Sequence, residues 1–120
     1  RNSTIEGQGV FALRNFKKGE IVLQWDISHT LSEEKVKKIS SEGKKYISFL
    51  KGKYIIMQEP EKYVNHSCEP NTTAKYFCDV AVRDIMKDEE ITADYAEELP
   101  PRTYMECRCG SRKCRKIIRA

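Results

Sequence analysis

Hydrophobic residues occur along this chain in short runs that charged or turn-forming residues interrupt, a pattern typical of many short strands. A Lys51-Gly52-Lys53 segment separates two of these runs and predicts a β-hairpin around it. We therefore expect a mostly β fold with several small sheets. The predicted strands lie at 10–13, 20–25, 46–50, 54–57, within 73–83 and at 91–95.

One segment predicts a helix instead of a strand. Thr30 is followed three residues later by Glu33, the spacing of a capping box in which each side chain bonds the other residue's backbone N–H. The charged residues that follow predict a short helix that ends at about Ser41.

The size and composition of the chain indicate a single small domain. It has 120 residues and a mass of 14.0 kDa, and a hydrophobic content of 39% is sufficient for one modest core. No run approaches the about 20 apolar residues that a membrane span needs. The sequence begins at Arg1 without an apolar secretory segment, so we expect an intracellular monomer with no membrane contact. Pro100-Pro101 predicts a boundary between a domain at 1–99 and a tail at 100–120.

Charge is unevenly distributed along the chain. The tail from Arg102 onwards carries seven basic residues against Glu106, whereas residues 84–98 carry seven acidic residues against Lys87. Most such residues lie on solvated surface. The acidic stretch nevertheless suits a cationic peptide partner, and the basic tail suits a secondary contact with nucleic acid.

The cysteines form a pattern that predicts a metal site. Cys107, Cys109 and Cys114 have the spacing C-x-C-x4-C, which is too short for an internal disulfide and leaves an odd thiol. Structural zinc takes four ligands, so one ligand must come from elsewhere in the chain. From spacing alone the fourth ligand stays open among Cys68, Cys78, His29 and His66.

The segment Asn65–Asn71 is the densest polar cluster in the sequence, and its composition is typical of a ligand-contacting loop rather than a helix or strand. His66 and Cys68 also allow a second interpretation, a thiol hydrolase in which the imidazole activates the cysteine. A zinc role for Cys68 would exclude that interpretation, and no third group that would orient His66 is evident.

Three separated segments and the tail together resemble one family, the SET-domain protein lysine methyltransferases. Residues 6–12 (EGQGVFA) resemble its G-x-G-x-F-A motif, and residues 65–71 (NHSCEPN) match its N-H-S-C-x-P-N motif at every fixed position. Residues 90–95 (EITADY) resemble its E-[LI]-T-x-D-Y motif, and the C-x-C-x4-C tail is similar to the post-SET element of many members. The four segments occur in the family's order over nearly the whole chain.

The resemblance implies a β-clip-like SET fold with small sheets, a short helix and a C-terminal pseudoknot, in which Asn71 pins the knotted loop. It also implies S-adenosylmethionine as the methyl donor and a lysine ε-amine as the acceptor. The residues that the resemblance assigns to donor binding are Gly7, Gln8, Gly9, Val10, Asn65 and His66.

The resemblance further implies that Tyr95 is the catalytic residue and that Cys68 is the fourth ligand of one structural zinc ion. Trp25, Tyr63 and Ala93 are the expected substrate-channel residues, although Trp25 is equally typical of a core side chain. Many relatives carry an aromatic residue at position 93. The remaining aromatic channel candidates are Tyr46, Tyr54 and Tyr76.

The sequence thus predicts a protein-lysine N-methyltransferase that acts on a histone tail or another basic protein. Two alternatives come from other classes of protein: an inactive SET-like module that only binds a lysine peptide, and a zinc-stabilised nucleic-acid-binding domain. The expected location is nuclear or chromatin-associated in a eukaryote and cytoplasmic in a prokaryote.

Overall fold

The computed structural model describes residues 1–40 and 46–119. In these ranges the chain forms short strands, one helix and two 3₁₀ turns, which confirms the mostly β fold class. The 3₁₀ turns are Glu61–Tyr63 and Tyr95–Glu97, and the helix α1 is Glu33–Lys37. The strands are β1 (Val10–Phe11), β2 (Ile21–Gln24), β3 (Thr30–Leu31), β4 (Ile47–Leu50), β5 (Lys53–Ile56), β6 (Asn65–His66), β7 (Thr72–Lys75), β8 (Cys78–Ala81), β9 (Glu90–Ala93), β10 (Tyr104–Glu106) and β11 (Ile117–Arg119).

The strands form four small sheets. Three sheets have three strands each, in the orders β1-β9-β6, β2-β8-β7 and β3-β5-β4, and the fourth is the β10-β11 pair. The pairs are antiparallel except for β6 with β9, which run parallel. The described ranges contain no helix long and apolar enough to cross a membrane.

The expected strand segments all contain strands, but the polar loop differs from expectation. Asn65 and His66 form β6, because their backbone pairs with Thr92 and Ala93 of β9. The prediction that the whole segment 65–71 is loop was therefore wrong for its first two residues. Pairing with a buried strand here overrides a composition that disfavours strands.

The helix begins later than the sequence predicted. Ser32 is the N-cap, and its hydroxyl accepts a hydrogen bond from the backbone N–H of Lys35, whereas Thr30 lies in β3 opposite Ile55. The prediction of Thr30 as the cap was wrong because sheet pairing occupies that residue, and serine is an equally good cap. The helix ends at Lys37 rather than near Ser41, which lies outside the described residues.

Two clusters of buried side chains form the core. The larger one lies between the β1-β9-β6 and β2-β8-β7 sheets, and its members include Val64, Ile85 and Ile91. The smaller one is formed by Trp25, Ile55 and Met57. Cys78 is buried in β8, as expected of a core thiol outside the predicted metal site.

Asn71 fastens the start of β7 to β9. Its amide donates to the Glu90 carbonyl at 2.8 Å, and its Oδ1 accepts from the backbone N–H of Thr92 at 2.8 Å. The side chain is 2% exposed, so these bonds are shielded from water. This is the place where the resemblance implies a pseudoknot.

Candidate active site and metal centre

Asn65 braces the loop that contains the first glycine motif. Its Nδ2 lies 3.0 Å from the carbonyl oxygens of Glu6 and Gln8 and 2.9 Å from a carboxylate oxygen of Glu90. The hydroxyl of Ser3 donates to the same carboxylate. A side chain on β6 and a carboxylate on β9 thus hold the N-terminal loop in place.

Gly7 and Gly9 are required in this loop for different reasons. Gly7 has a φ of +45°, which side-chain-bearing residues adopt at a cost. A Cβ at Gly9 would lie 2.3 Å from a carboxylate oxygen of Glu90, so any side chain there would displace the carboxylate that Asn65 and Ser3 contact.

A cavity of about 210 Å³ opens beside this loop. It combines backbone and polar groups of the glycine loop with aromatic side chains from three other segments. Its lining residues are Glu6, Gly7, Gln8, Tyr46, Lys62, Tyr63, Asn65, Tyr95 and Met105.

His66 links this region to the cysteines. Its ring is 5% exposed, and burial lowers the pKa of the imidazole, so it is neutral at physiological pH. Nδ1 accepts from the backbone N–H of Tyr95 at 3.0 Å, and Nε2 lies 3.3 Å from Sγ of Cys68. Because Nδ1 is an acceptor, the proton is on Nε2 and points to the sulfur.

Tyr95 follows β9 in the second 3₁₀ turn, and its hydroxyl donates to the backbone carbonyl of Val64. Burial raises the pKa of this hydroxyl above its usual range, and the negative charge of Glu98 raises it further. Tyr95 therefore stays protonated at physiological pH and can orient a ligand, but it is a poor proton acceptor.

A second, much smaller cavity lies next to Tyr95. Its volume of about 20 Å³ is enough for one water-sized group. It shares Tyr46, Lys62 and Tyr95 with the larger cavity, so these three side chains border both cavities. The other lining residues are Ile47, Ser48, Met57, Glu61, Val64, Glu98 and Leu99.

Three buried carboxyl groups near this cavity were not among the residues singled out from the sequence. Burial raises the pKa of Glu98 to about 8 and that of Asp79 to about 7, and it also raises the pKa of Glu61. Glu97 and Glu98 are adjacent acidic residues in a charged stretch, so sequence alone gave no signal that one is exposed and the other has an enclosed carboxylate.

The four cysteines of the predicted metal site lie together. The Sγ atoms of Cys68, Cys107, Cys109 and Cys114 are all within 4.8 Å of one another, and the group could hold a metal ion. The Sγ atoms of Cys107 and Cys68 are 3.8 Å apart, and those of Cys107 and Cys114 are 3.6 Å apart. The described residues include no disulfide, and Cys78 lies outside the group.

Arg115 connects this cluster to the segment that carries Tyr95. Its backbone N–H and Nε lie 3.3 and 3.4 Å from Sγ of Cys68, and its Nη2 lies 2.7 Å from Oδ1 of Asp94. Desolvation alone would raise the pKa of Cys68, but the two bonds from Arg115, together with hydrogen bonds from Cys107 and Cys109, outweigh it and lower the pKa. The arrangement favours a thiolate at Cys68, as a metal ligand requires.

The structure separates the expected channel residues. Tyr63 lines the larger cavity, but Trp25 and Ala93 lie in the two core clusters, 5% and 2% exposed, and line neither cavity. For Trp25 this agrees with the core alternative. Val10 also packs against the core from β1 rather than lining the larger cavity, because β1 pairs with β9.

The geometry disfavours a thiol hydrolase. Cys68 lies among three other sulfurs, and Nδ1 of His66 accepts from the Tyr95 backbone. Asp94 has its Oδ1 3.9 Å from that nitrogen, so it does not orient the ring by a hydrogen bond.

Sequence comparisons place this chain beside histone methyltransferases. It is 27% identical over 133 residues to histone-lysine N-methyltransferase 2B of Homo sapiens and 28% identical over 137 residues to histone-lysine N-methyltransferase trithorax of Drosophila virilis. Each alignment covers 97% of this chain, but only 5% and 3% of the relatives, so the chain spans a small part of their length.

Solved structures show the same fold. A candidate histone methyltransferase of Plasmodium falciparum superposes with a TM-score of 0.65 at 25% identity, covering 79% of this chain and 89% of its own. The methyltransferase domain of human histone-lysine N-methyltransferase SETMAR gives 0.74 at 18% identity over 98% of this chain and 55% of its own. The model of the SET domain family matches residues 7–96, three quarters of the chain, so this protein belongs to the SET domain family.

Proposed function

We propose that this chain is the catalytic domain of a protein-lysine N-methyltransferase that uses S-adenosylmethionine. One observation carries the proposal: Tyr95 lines both a larger cavity at the glycine loop and a second, much smaller cavity. A transferase needs two ligands that meet at one point, and this arrangement supplies such a point.

The larger cavity is the proposed donor site. S-adenosylmethionine supplies an electrophilic methyl group there. Gly7, Gln8 and Asn65 line the cavity, and Gly9 lets the loop pass close to the carboxylate of Glu90 without itself lining the cavity. Val10 and His66 do not line the cavity but support residues near it. Val10 packs β1 against the core, and His66 accepts a hydrogen bond from the backbone N–H of Tyr95.

The smaller cavity is the proposed binding site of the lysine amine. The Tyr95 hydroxyl donates to the Val64 carbonyl, so its remaining lone pairs and that carbonyl can accept N–H bonds from the amine. Two fixed acceptors would aim the nitrogen lone pair towards the donor side of Tyr95. Positioning of this kind is the main task of the protein when the methyl group is already reactive. Among the expected channel residues, Tyr63 is the one at the cavity surface.

Zinc is the proposed occupant of the thiol cluster. A tetrahedron with Zn–S bonds of about 2.3 Å has S–S edges of about 3.8 Å, and the measured distances of 3.8 and 3.6 Å fit this geometry. Cys68, Cys107, Cys109 and Cys114 would hold one ion that fastens residues 100–120 to the domain at 1–99. Met105 of the tail lines the larger cavity, so the metal would also complete the donor site.

A histone or another basic protein is the proposed substrate. The named relatives are histone methyltransferases, and the acidic residues around the small cavity suit a cationic side chain. In a eukaryote this substrate implies a nuclear location. The exposed basic residues of the tail support a secondary contact with nucleic acid, which stays a prediction, as does the monomeric state.

The proposal is tested by transfer of a radiolabelled methyl group from S-adenosylmethionine to core histones and to proteins of a cell lysate. We expect label on a discrete protein, on lysine after mass spectrometry. Tyr95→Phe removes only the hydroxyl and should slow transfer by about 100-fold or more, while donor binding by calorimetry stays unchanged.

Three results would contradict the proposal or a part of it. Equal rates for the wild type and Tyr95→Phe would remove Tyr95 from the reaction. Donor binding without label on any acceptor would count against the substrate class, and loss of both binding and transfer would favour an inactive lysine-peptide-binding module.

A further inference from the structure

We propose that the carboxylate of Glu98 receives the ammonium group of the substrate lysine in the small cavity and takes its proton. This inference rests on the proposed function and adds a residue that neither the sequence motifs nor the comparisons assign. The step is balanced: one proton moves from lysine Nζ to Oε2 of Glu98, leaving a neutral amine and a carboxylic acid.

The first support is two unsatisfied oxygens at one cavity. Oε2 of Glu98 and Oε2 of Glu61 are enclosed and have no hydrogen-bond partner in the part of the chain that the structure describes. Both residues line the small cavity, and Glu61 is 8% exposed. Enclosed carboxylate oxygens without donors are costly in a folded protein, so a cationic ligand that supplies N–H donors would relieve the cost.

The second support is the charge of the surroundings. Glu98 faces the hydroxyl of Ser48, 3.5 Å from Oε1, and the negative charges of Asp79, Glu97 and Asp94 all disfavour its ionisation. Lys62 also lines the cavity, but its Nζ lies 3.9 Å from Oε1 of Glu59 and near the rings of Tyr46 and Tyr63, and no hydrogen bond joins it to Glu98 in the part of the chain that the structure describes. The cavity therefore presents a field that attracts a cation from the substrate.

The third support is that Tyr95 cannot perform this step. Burial keeps its hydroxyl protonated, and that hydroxyl already donates to Val64. A free lysine has a pKa near 10.4, so some group must accept its proton near neutral pH. Glu98 has a pKa of about 8, much closer to the working pH than an ordinary carboxylate, which favours it as a proton acceptor.

The test compares the wild type with Glu98→Gln and with Glu97→Gln, a neighbouring substitution that also removes one carboxylate. Glu97 is exposed and bonds the hydroxyl of Thr73. The first readout is the pH dependence of kcat/KM for methyl transfer to core histones. We expect the kcat/KM of the wild type to rise through about pH 8 and fall near pH 10. Glu97→Gln should keep this bell shape with its rise at a slightly lower pH, because it removes one of the charges that disfavour ionisation of Glu98. The kcat/KM of Glu98→Gln should be at least about tenfold lower at pH 8. It should rise steadily as the pH approaches the pKa of lysine.

The second readout does not depend on transfer. In protein carrying ¹³C-labelled glutamate carboxyl groups, the resonance absent from Glu98→Gln identifies Glu98. We expect n-butylammonium chloride, a mimic of the lysine side chain, to lower the pKa of that resonance, whereas sodium chloride at equal ionic strength should not.

The outcomes separate this inference from the proposed function. Transfer with the same pH profile in wild type and Glu98→Gln would overturn the role of Glu98 while the methyltransferase assignment stands. If no acceptor is methylated and the donor does not bind, the proposed function fails, and the n-butylammonium titration alone decides whether the small cavity binds a cation. If n-butylammonium does not change the pKa of Glu98, the proposed binding of a cation beside Glu98 is wrong in either case.

Discussion

The domain body, residues 1–99, and the tail, residues 100–119, are held in place by different forces. The body contains two clusters of buried apolar side chains between its sheets. Among the described residues, the tail adds only Pro100, Cys107 and Ile118 to the buried nonpolar set, and it is rich in exposed basic residues. The body can be stabilised by burial of apolar surface, whereas the tail needs another source of order.

This difference gives a physical reason for dividing the four clustered cysteines between the two regions. Cys68 belongs to the body and the other three thiols belong to the tail, so a bound ion would connect regions that share little apolar surface. The same connection brings Met105 to the cavity that Tyr95 lines. The tail thus forms part of the proposed active site, and we expect its order to depend on metal.

The largest expected effect comes from breaking this connection at Cys107. Cys107→Ser should release the bound metal, make residues 100–119 sensitive to protease and lower methyl transfer by about 100-fold, because the donor site loses one wall. Metal analysis and limited proteolysis measure the first two effects. Cys78→Ser is the matched control, since Cys78 lies in β8 away from the cluster. Full metal content in Cys107→Ser, or its loss in Cys78→Ser, would contradict the assignment of the ligands.

The same substitution in the two regions should give unequal effects on stability. Ile85 in the body and Ile118 in the tail are both fully buried. Ile85→Ala should lower the free energy of unfolding by about 2–5 kcal/mol because it leaves a cavity in the core. Ile118→Ala should change global unfolding by less than about 1 kcal/mol but speed cleavage within the tail. Urea unfolding and limited proteolysis measure the two variants. Equal losses in the free energy of unfolding would show that the body and the tail unfold as one unit.

The body should also lose stability as the pH rises. Burial raises the pKa of Asp79 from its usual 3.8 to about 7; the Trp25 indole opposes this shift, and the negative charge of Glu61 adds to it. The folded state therefore binds a proton more tightly than the unfolded state. The stabilisation is complete below about pH 4 and is lost by about pH 7, a change of about 2–4 kcal/mol.

Urea unfolding at pH 5 and pH 8 tests this dependence. Asp79→Asn keeps the shape of the side chain and should remove part of the difference between the two pH values; the remainder comes from Glu98, whose pKa burial also raises, to about 8. A wild-type protein that is equally stable at both would show that Asp79 titrates normally.

The smallest expected effect concerns the ion pair between the regions. Arg115 pairs with Asp94 at 2.7 Å, but both side chains are partly exposed, and such pairs contribute at most about 1 kcal/mol. Arg115→Ala should raise protease cleavage of the tail slightly without loss of metal. Arg112→Ala, at an exposed position with no contact among the described residues, should have no effect. Release of the metal from Arg115→Ala would mean that the hydrogen bonds to Cys68 hold the cluster together.

Local patterns predicted the elements better than their exact ends. The hairpin around Lys51-Gly52 is where the sequence places it, because its turn signal is local. The helix cap was assigned to Thr30 instead of Ser32, since two good cap residues stood close together and only sheet pairing decided between them. The pairing of β6 with β9 joins residues far apart in sequence, and no local pattern encodes it.

The site divides in a similar way. Motif residues such as Asn65, Tyr95 and Cys68 could be found because their type and spacing are specific. Glu98 could not, since its enclosed carboxylate depends on how distant strands enclose one position of an acidic run. Ala93 and Trp25 were expected at the channel but lie in the core, because a motif position does not reveal which side of its strand faces the cavity.

The most direct test of the division between body and tail is a zinc titration of methyl transfer by the wild type. After chelator treatment, the body should unfold at the same temperature as in the zinc-bound protein. The tail should become sensitive to protease, and no label should be transferred to core histones. One equivalent of zinc should restore both the protected tail and the activity. Full transfer by metal-free protein, or a body that unfolds when the metal is removed, would contradict this account.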